Sequence, residues 1–304
     1  IFVFDNLISF IMFLIFLAYI HFHYISSEPI KIENKKIDYN KSVDSKLAIT
    51  SPIVITVFVF LFYFINIPGY LANLNLLDAL QAAANGKIQD ASTKFNKALS
   101  HDSFGNSEIR EQLASFSKKV IDAPEDVAAN NLKLEIFEKA LSEMKKQIES
   151  SPNDIRYMLF LGSLYNEGKR YGDAIDILEK TIDISPNKQQ IYFELGSSYL
   201  NKKEYSKAME ILKKSFDLEP SYDEARKIYA MAAIYNRQTD LGEKILIDRY
   251  NTHKIPDSRL VNAYASIDDY EKVVQIWEKI IEQNPSNAQY RVSLAASYLH
   301  INER

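Results

Sequence analysis

The sequence predicts an all-α protein: two transmembrane helices followed by an α-solenoid of stacked helical hairpins. Three observations carry that expectation. Two charge-free apolar stretches lie in the first quarter of the chain. A set of small, aromatic and aliphatic landmarks recurs with a 34-residue period further on. Between and beyond these copies, apolar residues keep the 3-to-4 spacing of amphipathic helices.

The repeat is clearest over residues 155–220. Leu161-Gly162, Tyr165, Tyr171, Ala174, Leu178 and Pro186 form one copy, and Leu195-Gly196, Tyr199, Tyr205, Ala208, Leu212 and Pro220 the next, each landmark displaced by 34. A helical hairpin cannot bury its apolar face alone, so it stacks on its neighbour. Gly162 and Gly196 are expected where two helices approach most closely, with Ala174 and Ala208 opposite them. Larger side chains there would cost ~1–3 kcal/mol by overpacking. Pro186 and Pro220 stop the second helix of each hairpin. This pattern resembles the tetratricopeptide repeat (TPR), which implies a stack of two-helix units over 153–304.

Fidelity falls on either side. Tyr229-Ala230, Ala233, Gly242 and Leu246 copy the pattern, and residues 249–256 read as an irregular junction. Leu260, Tyr264, Tyr270, Val273, Trp277 and Pro285 form another copy. Leu294-Ala295 and Tyr298 begin a last hairpin, expected to be truncated at Arg304. Upstream, residues 71–152 read as divergent hairpins: Gly86 separates two helices, and Ala91, Phe95 and Ala98 copy the second-helix spacing. Asn106 or Ser107 caps a helix with Ile109, Leu113 and Phe116 on one stripe. Leu132, Ile136, Ala140, Met144 and Ile148 mark a longer helix ending before Pro152.

The N-terminal quarter is different. Residues 7–24 read LISFIMFLIFLAYIHFHY, long enough to span a bilayer, so 1–24 is assigned to a first transmembrane helix. A signal peptide would need a basic start and a small-residue cleavage site, and Asp5 stands where the basic start belongs. A buried soluble helix is the other alternative. Residues 48–70 form the second expected span, densest at IVITVFVFLFYFINI, with Pro52 in its first turn and Pro68-Gly69 at its end. The loop 25–47 between them carries Lys31, Lys35, Lys36, Lys41 and Lys46. The next basic residue after the second span is Lys87, so the positive-inside rule places the loop in the cytoplasm and the repeats outside. Beginning at Ile1, the chain reads as part of a larger polypeptide.

Composition excludes several functions. Among 304 residues there are 36 basic and 40 acidic side chains, a net charge of −4, which does not describe a nucleic-acid binder. With no cysteine there are no disulfides, thiolate metal sites or cysteine nucleophiles. The five histidines (His21, His23, His101, His253, His300) form no metal-ligand spacing, and no phosphate loop or nucleophile constellation is present. No catalytic residue, metal ligand or cofactor is assigned.

The opening IFVFDNLISF, the two spans, and NLNLLDALQAAANGKIQDASTKFNKALSHDSFGNSEIREQLASF directly after them resemble the C-terminal end of bacterial O-antigen ligase/polymerase-like membrane proteins with TPR tails. The resemblance covers residues 1–117. It implies a polytopic glycosyltransferase of the bacterial cytoplasmic membrane, acting on a lipid-linked glycan through spans upstream of Ile1. The family's functional basic residues lie in other spans and a large external loop, and none maps onto this sequence.

What remains for the repeats is binding. First-helix positions Arg156, Leu159, Ser163 and Asn166, then Gln190, Phe193, Ser197 and Leu200, then Asn262 and Ser266 are expected on the concave face. Ser163 and Ser197 stand where carboxylate-clamping repeats place asparagine. The mixed polar and apolar lining fits an extended peptide or a partner helix. Three readings stay open: a glycosyltransferase whose repeats recruit partners, a non-enzymatic membrane-anchored TPR scaffold, and a soluble TPR protein with an N-terminal anchor.

Overall fold

The computed structural model describes residues 15–20 and 45–302, and within these every regular element is a helix. It divides into two compact units, 1–109 and 110–304.

In the first unit, residues 15–20 are helical (α1). A second helix, α2, runs unbroken over Ser45–Ala84 and is followed by α3, Ile88–Ser100. The expected first span otherwise lies outside the described residues, as does the lysine-rich loop as far as residue 44. One described helix, α2 over Pro52–Ala84, is long and apolar enough to cross a membrane by length and composition.

Here the expected boundary moves. Pro68-Gly69 does not end the helix; both lie inside α2. Proline removes one intrahelical bond and crowds the preceding turn, which kinks or breaks a helix unless packing offsets the cost. Here the tip of the Phe104 ring lies where a side chain on Gly69 would begin, 2.8 Å from the position of a Cβ. Three residues further the helix is gripped again, because Ala72, Leu76, Ala79 and Ala82 are buried along one face of α2, with Ala91, Phe95 and Ala98 buried on α3. Gly86, at φ +72°, makes the turn between the two, and Lys87 N–H donates to Ala82 O at 2.9 Å.

The second unit contains α5 (Asn130–Ser150), α6 (Ile155–Glu167), α7 (Tyr171–Ile184), α8 (Gln189–Asn201), α9 (Tyr205–Leu218), α10 (Asp223–Tyr235), α11 (Thr239–Tyr250), α12 (Ser258–Ser266), α13 (Tyr270–Gln283) and α14 (Ala288–Asn302). Helix α4, Asn106–Ile121, begins in the first unit and lies mostly in the second. The pairs α6/α7, α8/α9, α10/α11 and α12/α13 pack as hairpins. The sequence period survives as geometry. Lys169, Lys203 and Arg237 recur every 34 residues and each adopts the left-handed conformation, at φ 58°, 64° and 60°; Asp268 does the same at 66°. At each turn the next N–H reaches back five residues: Arg170 to Tyr165 O, Glu204 to Tyr199 O, Gln238 to Ala233 O and Asp269 to Tyr264 O, at 2.8–3.0 Å. This is the Schellman closure of a helix C-terminus, repeated hairpin after hairpin.

The close-approach positions need one correction. A Cβ on Gly162 would lie 2.7 Å from Leu178, and one on Gly196 would lie 2.4 Å from Leu212. The nearest atoms are thus the leucines, not Ala174 and Ala208, which are themselves fully buried nearby. In the third hairpin the roles exchange. Ala230 takes the first-helix place, and a Cβ on Gly242 would meet Ala230 O at 2.8 Å.

Candidate functional site

Successive first helices pack on one another, closely for α6 on α8 and α10 on α12 and more loosely for α8 on α10, whereas among the described residues no packing as close as the first two joins successive second helices. A stack in which one row of helices is closer together than the other must curve toward that row. The first helices therefore form the inner face, where the sequence places the candidate residues.

On α6, Arg156 is exposed and held by its own helix cap. Asp154 accepts from the Arg156 backbone N–H at 3.0 Å and from its guanidinium at 2.9 and 3.2 Å. That contact holds the Asp154 carboxyl below its usual range. Leu159 is only 7% exposed and belongs to the core rather than to a free surface. Ser163 accepts a hydrogen bond from Lys118 Nζ at 2.8 Å, and the same lysine lies 3.7 Å from Glu167. Asn166 donates to Glu194 O at 3.2 Å and receives Ser198 Oγ–H at 2.7 Å. Its amide is thus spent on tying α6 to α8.

On α8, Gln190 is exposed, and Phe193 and Leu200 are half-buried. The Phe193 ring lies 6.1 Å from Tyr222, itself exposed, and Leu200 packs against the cluster built by α10 to α13. Ser197 is half-buried and accepts from Asn201 of its own helix at 3.4 Å. On α12, Asn262 and Ser266 are exposed, and Ser266 Oγ–H caps back to Ala263 O at 2.6 Å.

The inner face also holds residues that the sequence reading passed over. Burial raises the Glu194 carboxyl pKa, and the Asn166 amide only partly opposes this. Arg259 on α12 bridges Asp257, at 2.6 Å, and Glu224 on α10. Burial pushes Asp257 up, but the Arg259 contacts outweigh it and leave that carboxyl lowered. Glu224 and Arg259 stand 35 residues apart, close to one repeat, and that offset is the signal that could have paired them. Most charges on this face are therefore neutralised by one another. The face has an apolar floor at Phe193, Leu200 and Tyr222, flanked by amide and hydroxyl groups.

The repeated left-handed turn and the repeated glycine–leucine contact decide the fold. It is a TPR-like α-solenoid. The family model for the anaphase-promoting complex, cyclosome, subunit 3 matches residues 167–248, from the end of α6 to most of α11. Similar solved structures include a thermophilic TPR protein from Thermus thermophilus, 16% identical over 62% of this chain and 99% of that one, at a TM-score of 0.46. MamA from Desulfovibrio magneticus is 16% identical over 58% and 92%, at 0.45. PilF from Pseudomonas aeruginosa is 16% identical over 75% and 99%, at 0.44. No curated protein matches the sequence. At such identities and scores, the assignment of the TPR-like fold rests on the hairpin geometry itself.

Proposed function

We propose that this chain is a membrane-tethered TPR module that binds a protein partner along the inner face of its solenoid. One observation supports it above the others: Gln190, Phe193, Tyr222, Asn262 and Ser266 keep exposed or half-exposed surface on the inner side, while the neighbouring charges are paired internally. Apolar anchors flanked by uncharged polar groups suit an extended peptide or a partner helix. A photo-crosslinking residue at Gln190 or Asn262, in cells, is expected to trap a discrete partner. The same residue at Lys180 or Lys214, on second helices, is expected to trap none. Identical adduct patterns from both faces would sink this reading.

The tether is α2. Its mean hydropathy reaches 2.0, and Ile53, Val59, Phe60, Tyr63 and Phe64 present 57–58% of their surface outward, as lipid-facing residues do. The lysine-rich loop, with no further basic residue before Lys87, supports a solenoid outside the bacterial cytoplasmic membrane. The resemblance of residues 1–117 to TPR-tailed O-antigen ligase/polymerase-like proteins supports a finer reading, in which the solenoid recruits partners to a membrane enzyme that moves a lipid-linked glycan. Deleting the gene and following surface glycan separates that enzyme from a non-enzymatic scaffold, since only the former predicts loss of glycan transfer.

A further inference from the structure

We propose that the foot of the α2–α3 hairpin is a lipid-interface collar, built by Tyr70, Leu71 and Leu74 on α2 and by Phe104 after α3; the proposal rests on the reading of α2 as a membrane span. All four side chains are large, apolar and exposed, at 57%, 38%, 41% and 54%. They also share one height along the hairpin. Helix α3 returns antiparallel to α2, with His101 3.1 Å from Asn75 and Phe104 against Gly69.

Distances along α2 set that height. From Pro52, 20 residues at 1.5 Å each reach Leu71, about 30 Å away, which is the thickness of the hydrocarbon core. Gly69 to Leu74 is a rise of about 7.5 Å, comparable with the ~5–8 Å of headgroup region on one side of a bilayer. No charged residue occurs between Lys46 and Asp78, so Asp78 is the first charge beyond the collar. Tyr and Trp favour this level of a membrane protein because one end of the ring is apolar and the other wet.

The shape of the patch selects its occupant. Tyr70 and Leu71 point about 100° apart around α2, and Phe104 lies on the Gly69 side. A protein partner docks on one side of a helical hairpin, whereas a lipid layer meets several sides at one height. Tyr63 and Phe64, about two turns below Tyr70 on α2, are exposed as well, at 57% and 58%.

The chain has no cysteine, so single labels are unambiguous. Tyr63→Cys, Leu71→Cys, Leu74→Cys and Lys97→Cys would each be labelled with an environment-sensitive fluorophore. The full chain would then be reconstituted in phosphatidylcholine/phosphatidylglycerol vesicles. Quenching would be compared for aqueous iodide, a headgroup nitroxide lipid and a mid-chain nitroxide lipid. The collar predicts at least twofold stronger headgroup-nitroxide quenching at positions 71 and 74 than at 97, with iodide quenching strong at 97 alone. Position 63 is expected to respond to the mid-chain lipid. If 63 responds as expected but 71 and 74 are quenched only by iodide, the span stands and the collar is wrong. Shielding of 71 and 74 from all three quenchers would mean that protein covers the patch, which also overturns the proposal. If 63 is not lipid-quenched, the membrane reading itself fails.

Discussion

At Gly196 the missing side chain is filled by a neighbour. A Cβ there would stand 2.4 Å from Leu212, which is 1% exposed in a packed interior and has little room to yield. Gly196→Ala is expected to destabilise the solenoid by about 1–2 kcal/mol, despite alanine's better helix propensity. Gly172, in the first turn of α7, has nothing within 4 Å, so Gly172→Ala is expected to be neutral or to stabilise by up to ~0.5 kcal/mol. Chemical denaturation of the two variants checks the contrast, and equal effects would mean that the Gly196–Leu212 contact is not what fixes the glycine. Two carboxylates are shifted in opposite directions by their surroundings. Burial pushes Glu143 up, but hydrogen bonds from Lys146, Arg110 and Lys139 outweigh it and leave the group below its ordinary 4.5. A depressed carboxylate contributes stability above its unfolded pKa and loses it as pH falls through the folded one. Glu143→Gln should therefore cost ~1–3 kcal/mol at pH 7, by removing the negative charge that Arg110, Lys139 and Lys146 share, and progressively less as the pH falls below the ordinary carboxylate range. Glu194 is raised above 4.5 by burial, so its contribution is present at low pH and lost as pH rises through the folded value. Glu194→Gln is expected to raise the thermal midpoint at pH 7 but not at pH 4; a shift of the same size at both would contradict the assignment.

Between hairpin helices the chain closes with Lys169, Lys203 and Arg237 in left-handed backbone, a conformation that costs a residue with a Cβ roughly 1 kcal/mol relative to glycine. Lys203 is exposed at its turn. Lys203→Gly is expected to stabilise by about 0.5–1 kcal/mol, and a midpoint that falls would show that the turn needs the lysine itself. These turns were not legible in the sequence, because their left-handed positions carry lysine or arginine where glycine is the usual marker, and Gly86 is the left-handed glycine of a different turn. The hairpins that they close were legible, since small and aromatic landmarks recur wherever two helices must interlock. Pro68-Gly69 misled for the opposite reason. Local chemistry reads as a stop, but Phe104 covers the bare Gly69 and the Ala72–Leu76–Ala79 face grips α3, so tertiary contact carries α2 through the break. Sequence period put the candidate residues on the first helix of each hairpin, but did not reveal which polar groups there are already engaged. Asn166 read as a concave-face position for a partner; Glu194 and Ser198, which engage its amide, lie about a repeat further on, and only folding brings them together.

For the whole molecule, the arrangement of charge around α2 predicts an orientation for the proposed span. Five lysines precede α2's apolar stretch within the loop 25–47, and the next basic residue after Lys46 is Lys87. Basic residues near a span stay cytoplasmic because moving them across is opposed by the translocation machinery and the membrane potential, whereas acids count for little. The solenoid is therefore expected outside, where a partner on its inner face would meet extracytoplasmic proteins. Single cysteines at Lys41 and Lys180, in the full-length protein in intact cells, separate the alternatives. A membrane-impermeant maleimide is expected to label position 180 without permeabilisation and position 41 only after it. The reverse pattern would place the solenoid in the cytoplasm and remove external glycan assembly from consideration. It would leave the inner-face binding surface intact but turned toward cytoplasmic partners. Labelling at both positions without permeabilisation would mean that α2 does not cross the bilayer, and the hairpin foot would then have no headgroup layer to meet.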